Sequence, residues 1–541
     1  MHAGLAEHAL AVMVRRIYTA VAQETQRQQA AGALRANTDD MLRWGRHYFP
    51  DVFPLPWSRL HGWFAKDVLP LLGRGQARIV VEAPRGASKT TVLTFLHTMY
   101  RALHATSREY IILCSETSEQ ACAYLDPIKE HLTVNEDLAA AYPHICGIGP
   151  VWRKNKIVLR NGVCIEALGA GKSIRGRLHA GRKPSLIVVD DPEGEDAPYS
   201  KTLRDHIRSW FLRGVSKAVR PEASIIVAGT RLHQECLTGW LSSHGGWVRP
   251  SAEVTGNQRR AFASIRRWPD RMDLWEHWAT LLTDLVASDP EADALAFYVA
   301  HKAEMDAGAV VLWPEREPLY DLMRIRVMEG VAAFEAEKQN NPRDLGSTEW
   351  GPECFEGDIW FSDWPKDRLC TVVALDPSKG RDSKTSDFQA TVTLVVGTDG
   401  VLYVDADIER RPVDGMVNVF VDTIGETRAE IGVVEDDMLE LMSGLCSDQA
   451  VKERLLAPIQ GISTEGKPKP LRIRRLSPYI TRGRVKYRQR SRGTRLLIEQ
   501  LQDFPNGDHD DGPDALEMAE RTARALLAQK REGVVAGQNP L

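Results

Sequence analysis

The chain has 541 residues, 43% of them hydrophobic and 26% charged, and a formal net charge of −4. That length holds roughly three domains with substantial cores, and the charge balance excludes a protein that is basic throughout, so any nucleic-acid surface must be local. The eight cysteines show no C-x-x-C spacing, which argues against a zinc ribbon or disulfide framework and fits a reducing, cytoplasmic setting.

Residues 1–45 are expected to form a helical arm. His8 to Tyr18 is interrupted by Arg15 and Arg16 and lacks a small-residue cleavage site, so it reads as helix and not as a signal peptide. No apolar run approaches the ~20 residues that span a bilayer, and no membrane contact is expected. Tyr48 to Leu60 is rich in aromatic residues and proline, suited either to core packing or to an adenine ring.

Ile79 to Glu82 reads as a buried strand, followed by the turn Ala83-Pro84-Arg85-Gly86-Ala87-Ser88 and a helix from Lys89. Such a turn offers backbone N–H groups and a helix N-terminus to phosphates, a Lys to the β/γ oxygens and a neighbouring hydroxyl to Mg²⁺. Lys89 and Thr90 suit the last two roles, with Thr91 alongside. Against G-x-x-x-x-G-K-[ST], Ala83 and Ser88 replace the two glycines and Gly86 is the only glycine left in the turn. The strand Glu109 to Ser115 and a helix opening at Glu119 continue a strand–helix alternation that predicts a parallel sheet covered on both faces. Lys156 to Leu168 alternates as two strands around Asn161-Gly162, and Gly169 to Arg177 is a basic loop. Leu186 to Asp190 is an apolar strand ending in Asp190-Asp191-Pro192-Glu193, a pattern that suits Mg²⁺ binding by Asp190 and activation of water by Asp191 or Glu193. A third strand, Ser224 to Gly229, brings Thr230 and Arg231 to the same carboxyl edge, where ligands of open α/β sheets bind.

Pro84-Arg85-Gly86 with Lys89-Thr90, Ile174-Arg175-Gly176, Val189-Asp190-Asp191-Pro192 and Ala228-Gly229-Thr230-Arg231 together resemble the ATPase half of the large terminase subunit of tailed bacteriophages. Members of that family depart from the phosphate-loop consensus in the same way. The resemblance covers about residues 45–525 and implies a P-loop ATPase domain at 46–245, with nucleotide held by Arg85, Gly86, Ser88, Lys89, Thr90, Thr91, Asp190 and Thr230. It also implies an arginine finger, either Arg85 within the subunit or Arg175 acting on a neighbour. Asp191 falls where the family has a catalytic Glu but is one methylene shorter, so Glu193 is the other candidate base.

Residues 246–345 carry the helical stretches Met272 to Ala287, Glu291 to Ala307 and Leu319 to Glu337 and are expected to form a lid or linker, with a connection at 346–365 after Asn340-Asn341-Pro342. In residues 366–525, Thr371 to Asp376 and Ile431 to Glu435 read as strands ending in acids, and a turn rich in Ser, Lys, Gly and Asp leads to Asp387. Strands Thr391 to Val396 and Val401 to Asp405 flank the Asp399-Gly400 turn. Asp510, Asp511 and Asp514 open the last helix. Hard divalent ions need oxygen ligands from separate segments, and a two-metal nuclease holds its ions roughly 4 Å apart. The order and strand context of these acids resemble the RNase H-like nuclease half of the same family. That implies catalysis by Asp376, Glu435 and Asp511, with Asp510 and Asp514 as further metal ligands.

From Lys467 to Arg495 there are twelve basic residues and no acidic one, which suggests a hairpin that contacts DNA phosphates. Residues 526–541 read as a flexible tail. The expected whole is an α/β protein with a P-loop parallel sheet followed by an RNase H-like mixed α/β domain. The resemblance implies a motor subunit that hydrolyses ATP to move double-stranded DNA into a procapsid and cuts concatemers with a metal-dependent endonuclease. Its cofactors would be ATP and Mg²⁺, with Mn²⁺ an option in the nuclease. Its partners would be the portal protein, the small terminase subunit and further copies of itself on the procapsid, in the cytoplasm of the infected bacterium. A helicase-nuclease and a non-catalytic assembly scaffold are the rival readings.

Overall fold

The structure is a computed structural model. It describes residues 40–194, 197, 200–342, 348–377, 388–436, 449, 458–464, 469–507 and 509–537. The expected arm up to residue 39, the turn leading to Asp387, Lys467 and the last four residues lie outside the described residues. Two compact units result: residues up to Arg267 with Val310–Pro318 and Ala336–Pro342, and residues Trp268–Ala309 and Leu319–Glu335 with Arg343 onward. The segment set apart in the sequence as 246–345 is thus divided between the units.

The first unit is built on β1 (Arg78–Glu82), β2 (Tyr110–Ser115), β3 (Val151–Trp152), β4 (Lys156–Val158), β5 (Cys164–Gly169), β6 (Leu186–Asp190) and β7 (Ser224–Gly229), in the order β1-β7-β6-β2-β5-β4-β3. β1, β7, β6, β2 and β5 run parallel; β4 and β3 add an antiparallel edge. The near-continuous apolar strands follow from burial on both faces. Ile79, Val81, Ile111 and Leu113 pack with Phe95, Leu96, Ile128 and Leu132, while Val80, Ile112 and Val189 pack with Trp210, Phe211, Leu237 and Leu241. Tyr48, Phe49 and Phe53 join the first of these clusters, so core packing accounts for the aromatic stretch. A short antiparallel pair, β8 (Ile265–Arg267) with β9 (Val310–Val311), belongs to the same unit.

The second unit holds β10 (Trp360–Phe361), β11 (Arg368–Asp376), β12 (Gln389–Gly397), β13 (Leu402–Glu409), β14 (Ile431–Glu435), β15 (Ile459–Ile462) and β16 (Val485–Arg488). The order is β10-β16-β13-β12-β11-β14-β15. The antiparallel meander β11-β12-β13 with β14 and β15 added parallel beyond β11 is the RNase H-like arrangement. Alternation along β11 sorts its side chains: Val372 and Ala374 face Ala515, Ala519 and Ala523 of the helix Asp511–Gly537, and Val373 and Leu375 face Phe420 and Ile424 of the helix Val413–Thr427. The helix Asp511–Gly537 runs well into the expected tail. Leu319 to Glu337 is not one helix: Gly330, at φ +88°, breaks it into Leu319–Met328 and Val331–Glu337.

Candidate nucleotide and nuclease sites

Register assembles the first site. Glu82 at the end of β1 aligns with Gly229 of β7, and Asp190 of β6 aligns with Ala228, so the three strands deliver the loop after Glu82, Asp191 and Thr230 to one edge. There they line a cleft of about 450 Å³. Lys89 reaches across it, donating to the carbonyls of Ala83 and Pro84 (3.1 Å each) and to the hydroxyl of Thr230 (3.0 Å), with the Asp191 carboxylate 4.0 Å away. Gly86 adopts φ +88° and presses against Glu317, whose carboxylate is paired with Lys338; Lys338 in turn donates to the carbonyl of Arg85 at 3.0 Å. Ser88 stands at φ +55°. The position where the consensus has its second glycine therefore still requires the left-handed backbone, and Ser tolerates it at a modest cost.

Arg85, Gly86, Ser88, Lys89, Thr90, Thr91, Asp191, Glu193 and Thr230 all line the cleft. Asp190 does not: it is wholly buried behind the cleft wall, with one oxygen accepting the Thr94 hydroxyl at 2.6 Å and the other without a hydrogen bond. Burial and then the neighbouring Asp191 push its carboxyl up to about 6, against the hydroxyls of Thr94 and Thr90. Asp191 sits at φ +42° and accepts the Thr230 N–H at 3.1 Å. Glu193 is differently placed. One oxygen accepts the Leu237 N–H at 2.8 Å, the other is unpartnered, and burial pushes its carboxyl up to about 7 although the Leu237 N–H and Arg204 act against that. Arg175 is exposed in the loop after β5 and is absent from the cleft lining, whereas Arg204, His233 and Arg316 are present. Those three come from distant segments with no motif around them, so no local signal marked them.

The second site forms where β11 and β14 end side by side, Leu375 beside Val434, bringing Asp376 next to Glu435. The third set of acids arrives on the helix Asp511–Gly537. Its first turn approaches closely because a Cβ on Gly512 would stand 2.7 Å from Gln500 Oε1 and from Ile408 Cδ1. Lys469 Nζ lies 3.0 Å from Asp376, 3.0 Å from Asp510 and 3.5 Å from Asp514. Arg472 joins Glu435 and Asp514, at 3.1 Å each. Asp511 lies near enough to help raise the carboxyl of Asp376, which burial first of all pushes up to about 7; burial likewise pushes Asp514 up to about 6. Burial acts to lower the Lys469 ammonium, but Asp376, Asp514 and Asp510 outweigh it and hold the group above its ordinary range.

Among the described residues no group of three or more His, Cys, Asp or Glu side chains closes to metal-holding geometry. The acids gather instead around one ammonium. Three carboxylates within hydrogen-bonding or ion-pair reach of a single cation nonetheless make a donor set of the kind a hard divalent ion takes.

The expected hairpin of the basic run is corrected. Lys469 to Arg495 folds as the helix Lys469–Ile473, a tight turn, the helix Ser477–Ile480, the single strand β16 and the start of the helix Arg492–Asp503. β16 pairs in parallel with β13 and β10, so its partners come from elsewhere in the sheet. Arg474 pairs with Glu349, Arg475 with Glu517 and Lys486 with Asp358. Arg490, Arg492 and Arg495 are exposed and form no ion pair among the described residues.

In fold the chain is similar to phage large terminases. The large terminase of bacteriophage HK97 aligns over 83% of this chain and 90% of its own, at 14% identity and a TM-score of 0.30. That of a thermophilic bacteriophage in complex with ADP aligns over 86% and 99%, at 10% identity and 0.40. A mutant nuclease domain of the large terminase subunit of bacterial virus Sf6, with manganese and beta-thujaplicinol, aligns over 28% and 89%, at 10% identity and 0.21. No family model and no curated protein matches the sequence. No helix among the described residues is long and apolar enough to cross a membrane.

Proposed function

We propose that this chain is a large terminase subunit: an ATPase that moves double-stranded DNA into a procapsid and an endonuclease that cuts the concatemer. The observation that carries the reading is the coexistence, in one chain, of a phosphate-loop cleft around Lys89 and an RNase H-like sheet whose strand ends bring Asp376 and Glu435 together. ATP is the nucleotide. Its phosphates would take the place of the carbonyls and hydroxyl that Lys89 now contacts. Glu193, with one oxygen unpartnered at the cleft wall, is the base that draws a proton from the attacking water. Asp191 positions Thr230 and Lys89. Thr90, with Asp190 behind it, would hold a divalent ion in the first site and Asp376, Glu435, Asp510, Asp511 and Asp514 would hold such ions in the second, where they would neutralise phosphoryl charge. Portal, small subunit and self-assembly on the procapsid, in the host cytoplasm, follow from the same reading.

The test is a pair of activities on purified full-length chain. The wild type should hydrolyse ATP faster with DNA and cut plasmid with Mg²⁺ or Mn²⁺. Lys89→Ala should lose ATP turnover. Asp376→Ala should lose cutting and keep DNA-stimulated ATP turnover. Plasmid cleavage by Asp376→Ala, or unchanged ATP hydrolysis by Lys89→Ala, overturns the corresponding half.

A further inference from the structure

Apart from both sites, the second unit contains a cavity of about 130 Å³ between the helix Leu319–Met328, the turn at Gly330 and the helix Ser477–Ile480. Two arginines line it, Arg326 and Arg482, with Ser477 and Thr481 beside them. Neither guanidinium forms an ion pair among the described residues. Arg326 Nε is buried without a hydrogen-bond partner, and its guanidinium carbon lies 5.4 Å from the centre of the Trp268 ring. Arg482 donates to the carbonyl of Pro478 at 3.0 Å.

The carboxylate on the cavity wall, Glu349, is engaged by Arg474 at 3.0 Å. Burial lowers the pKa of both arginines, and each repulsion by a like charge adds to this at Arg482, from Arg326 and from Arg484. Glu276 acts in the opposite sense on both, and Glu335 on Arg326, without closing to an ion pair with either. Two like charges drawn partly out of water towards one cavity are costly unless an anion completes them. The planar fork of Arg pairs bidentately with phosphate or carboxylate oxygens, and a tetrahedral phosphate group has oxygens enough to meet two forks at once.

We propose that this cavity is a binding site for a phosphate oxyanion, held between Arg326 and Arg482. The oxyanion is either free inorganic phosphate or one phosphodiester of a DNA backbone; only the second source rests on the proposed function.

The experiment uses the full chain carrying Lys89→Ala, so that the nucleotide cleft offers phosphate little purchase, with and without Arg482→Gln. Inorganic phosphate is titrated calorimetrically at constant ionic strength, and affinity for a short DNA duplex is measured against salt. Phosphate binding near one per chain, weakened at least tenfold by Arg482→Gln, assigns the free ion. Phosphate too weak to detect, with an Arg482→Gln slope of log affinity against log salt shallower by about one, assigns the phosphodiester. Phosphate binding and DNA slope both indifferent to the substitution overturn the proposal, while ATP turnover and plasmid cutting by the wild type would still stand. If Arg482→Gln fails to fold, Arg482→Lys is used in its place: it keeps the charge but loses the fork and should weaken whichever binding is seen, and an unchanged affinity again overturns the site.

Discussion

At Glu193, a residue of the cleft lining, one carboxylate oxygen is fixed by the Leu237 N–H and the other is buried without a hydrogen-bond partner. Asp191 is spent on the Thr230 N–H and lies 4.0 Å from Lys89. Within the proposed function this geometry supports Glu193 as the base, although the resemblance puts Asp191 at the position of the family's catalytic acid. Glu193→Gln should lower kcat by about 10²–10⁴ with nucleotide affinity kept, as loss of a general base does. Asp191→Asn should instead raise the nucleotide Kd. The pH profile checks the assignment independently. Burial favours the protonated acid, the base must be ionised, and so kcat should climb as pH passes about 7 and level off above it. A profile flat across that range, or a Glu193→Gln variant with full turnover, rules Glu193 out. For stability the sign is opposite: the folded state holds this proton from the ordinary Glu range up to about 7, so Glu193 costs stability progressively as pH rises through that window.

At the scale of elements, the second unit depends on helices pressed hard onto the sheet. The helix Arg492–Asp503 is capped by Ser491 and locked to β13 by Thr494, whose hydroxyl accepts the Ala406 N–H at 2.9 Å and donates to Asp405 at 3.0 Å. A Cβ on Gly493 would overlap the carbonyl oxygen of Ala406. Gly493→Ala should therefore destabilise the unit by about 2–3 kcal/mol, through a shift of helix against strand. Denaturant melts of the full chain check this, and an unchanged midpoint would show that the helix yields freely. The basic run divides at the same scale. Arg474 and Arg475 are tied to buried acids, while Arg490, Arg492 and Arg495 are exposed. Gln at the three exposed positions should weaken duplex DNA binding and flatten its salt dependence by up to about three counterions, and Gln at Arg474 should act on stability instead. Equal salt slopes for the triple variant and the wild type would exclude this face.

For the whole molecule, the exposed Arg175 lies outside the nucleotide cleft, and Arg85 lines it. An arginine finger is worth roughly 10³–10⁵ in rate. If Arg175 supplies it to a neighbouring copy, Lys89→Ala and Arg175→Ala chains, each inactive alone, should regain part of the ATPase activity when mixed. No recovery in mixtures shown by cross-linking to co-assemble would assign the role to Arg85 or to a cleft arginine such as Arg204.

Local pattern was enough for the central strands of both sheets and for the acids at their ends, but not for the short strands β3, β8, β9, β10, β15 and β16. Leu186 to Asp190, Thr371 to Asp376 and Ile431 to Glu435 are apolar runs closed by an acid, and a buried strand must expose its polar groups where it ends. Pairing across the chain lay beyond local pattern. That Lys469 and Arg472 sit among the acids, that Arg474 and Arg475 meet buried carboxylates, and that Arg204 and Arg316 reach the cleft depend on register and helix packing between residues far apart in sequence. A lone Lys or Arg carries no local mark of the acid it will meet, so a basic stretch reads alike whether it faces DNA, water or a buried carboxylate. Tertiary structure decides among these, because burial sets the cost of leaving each charge unpaired.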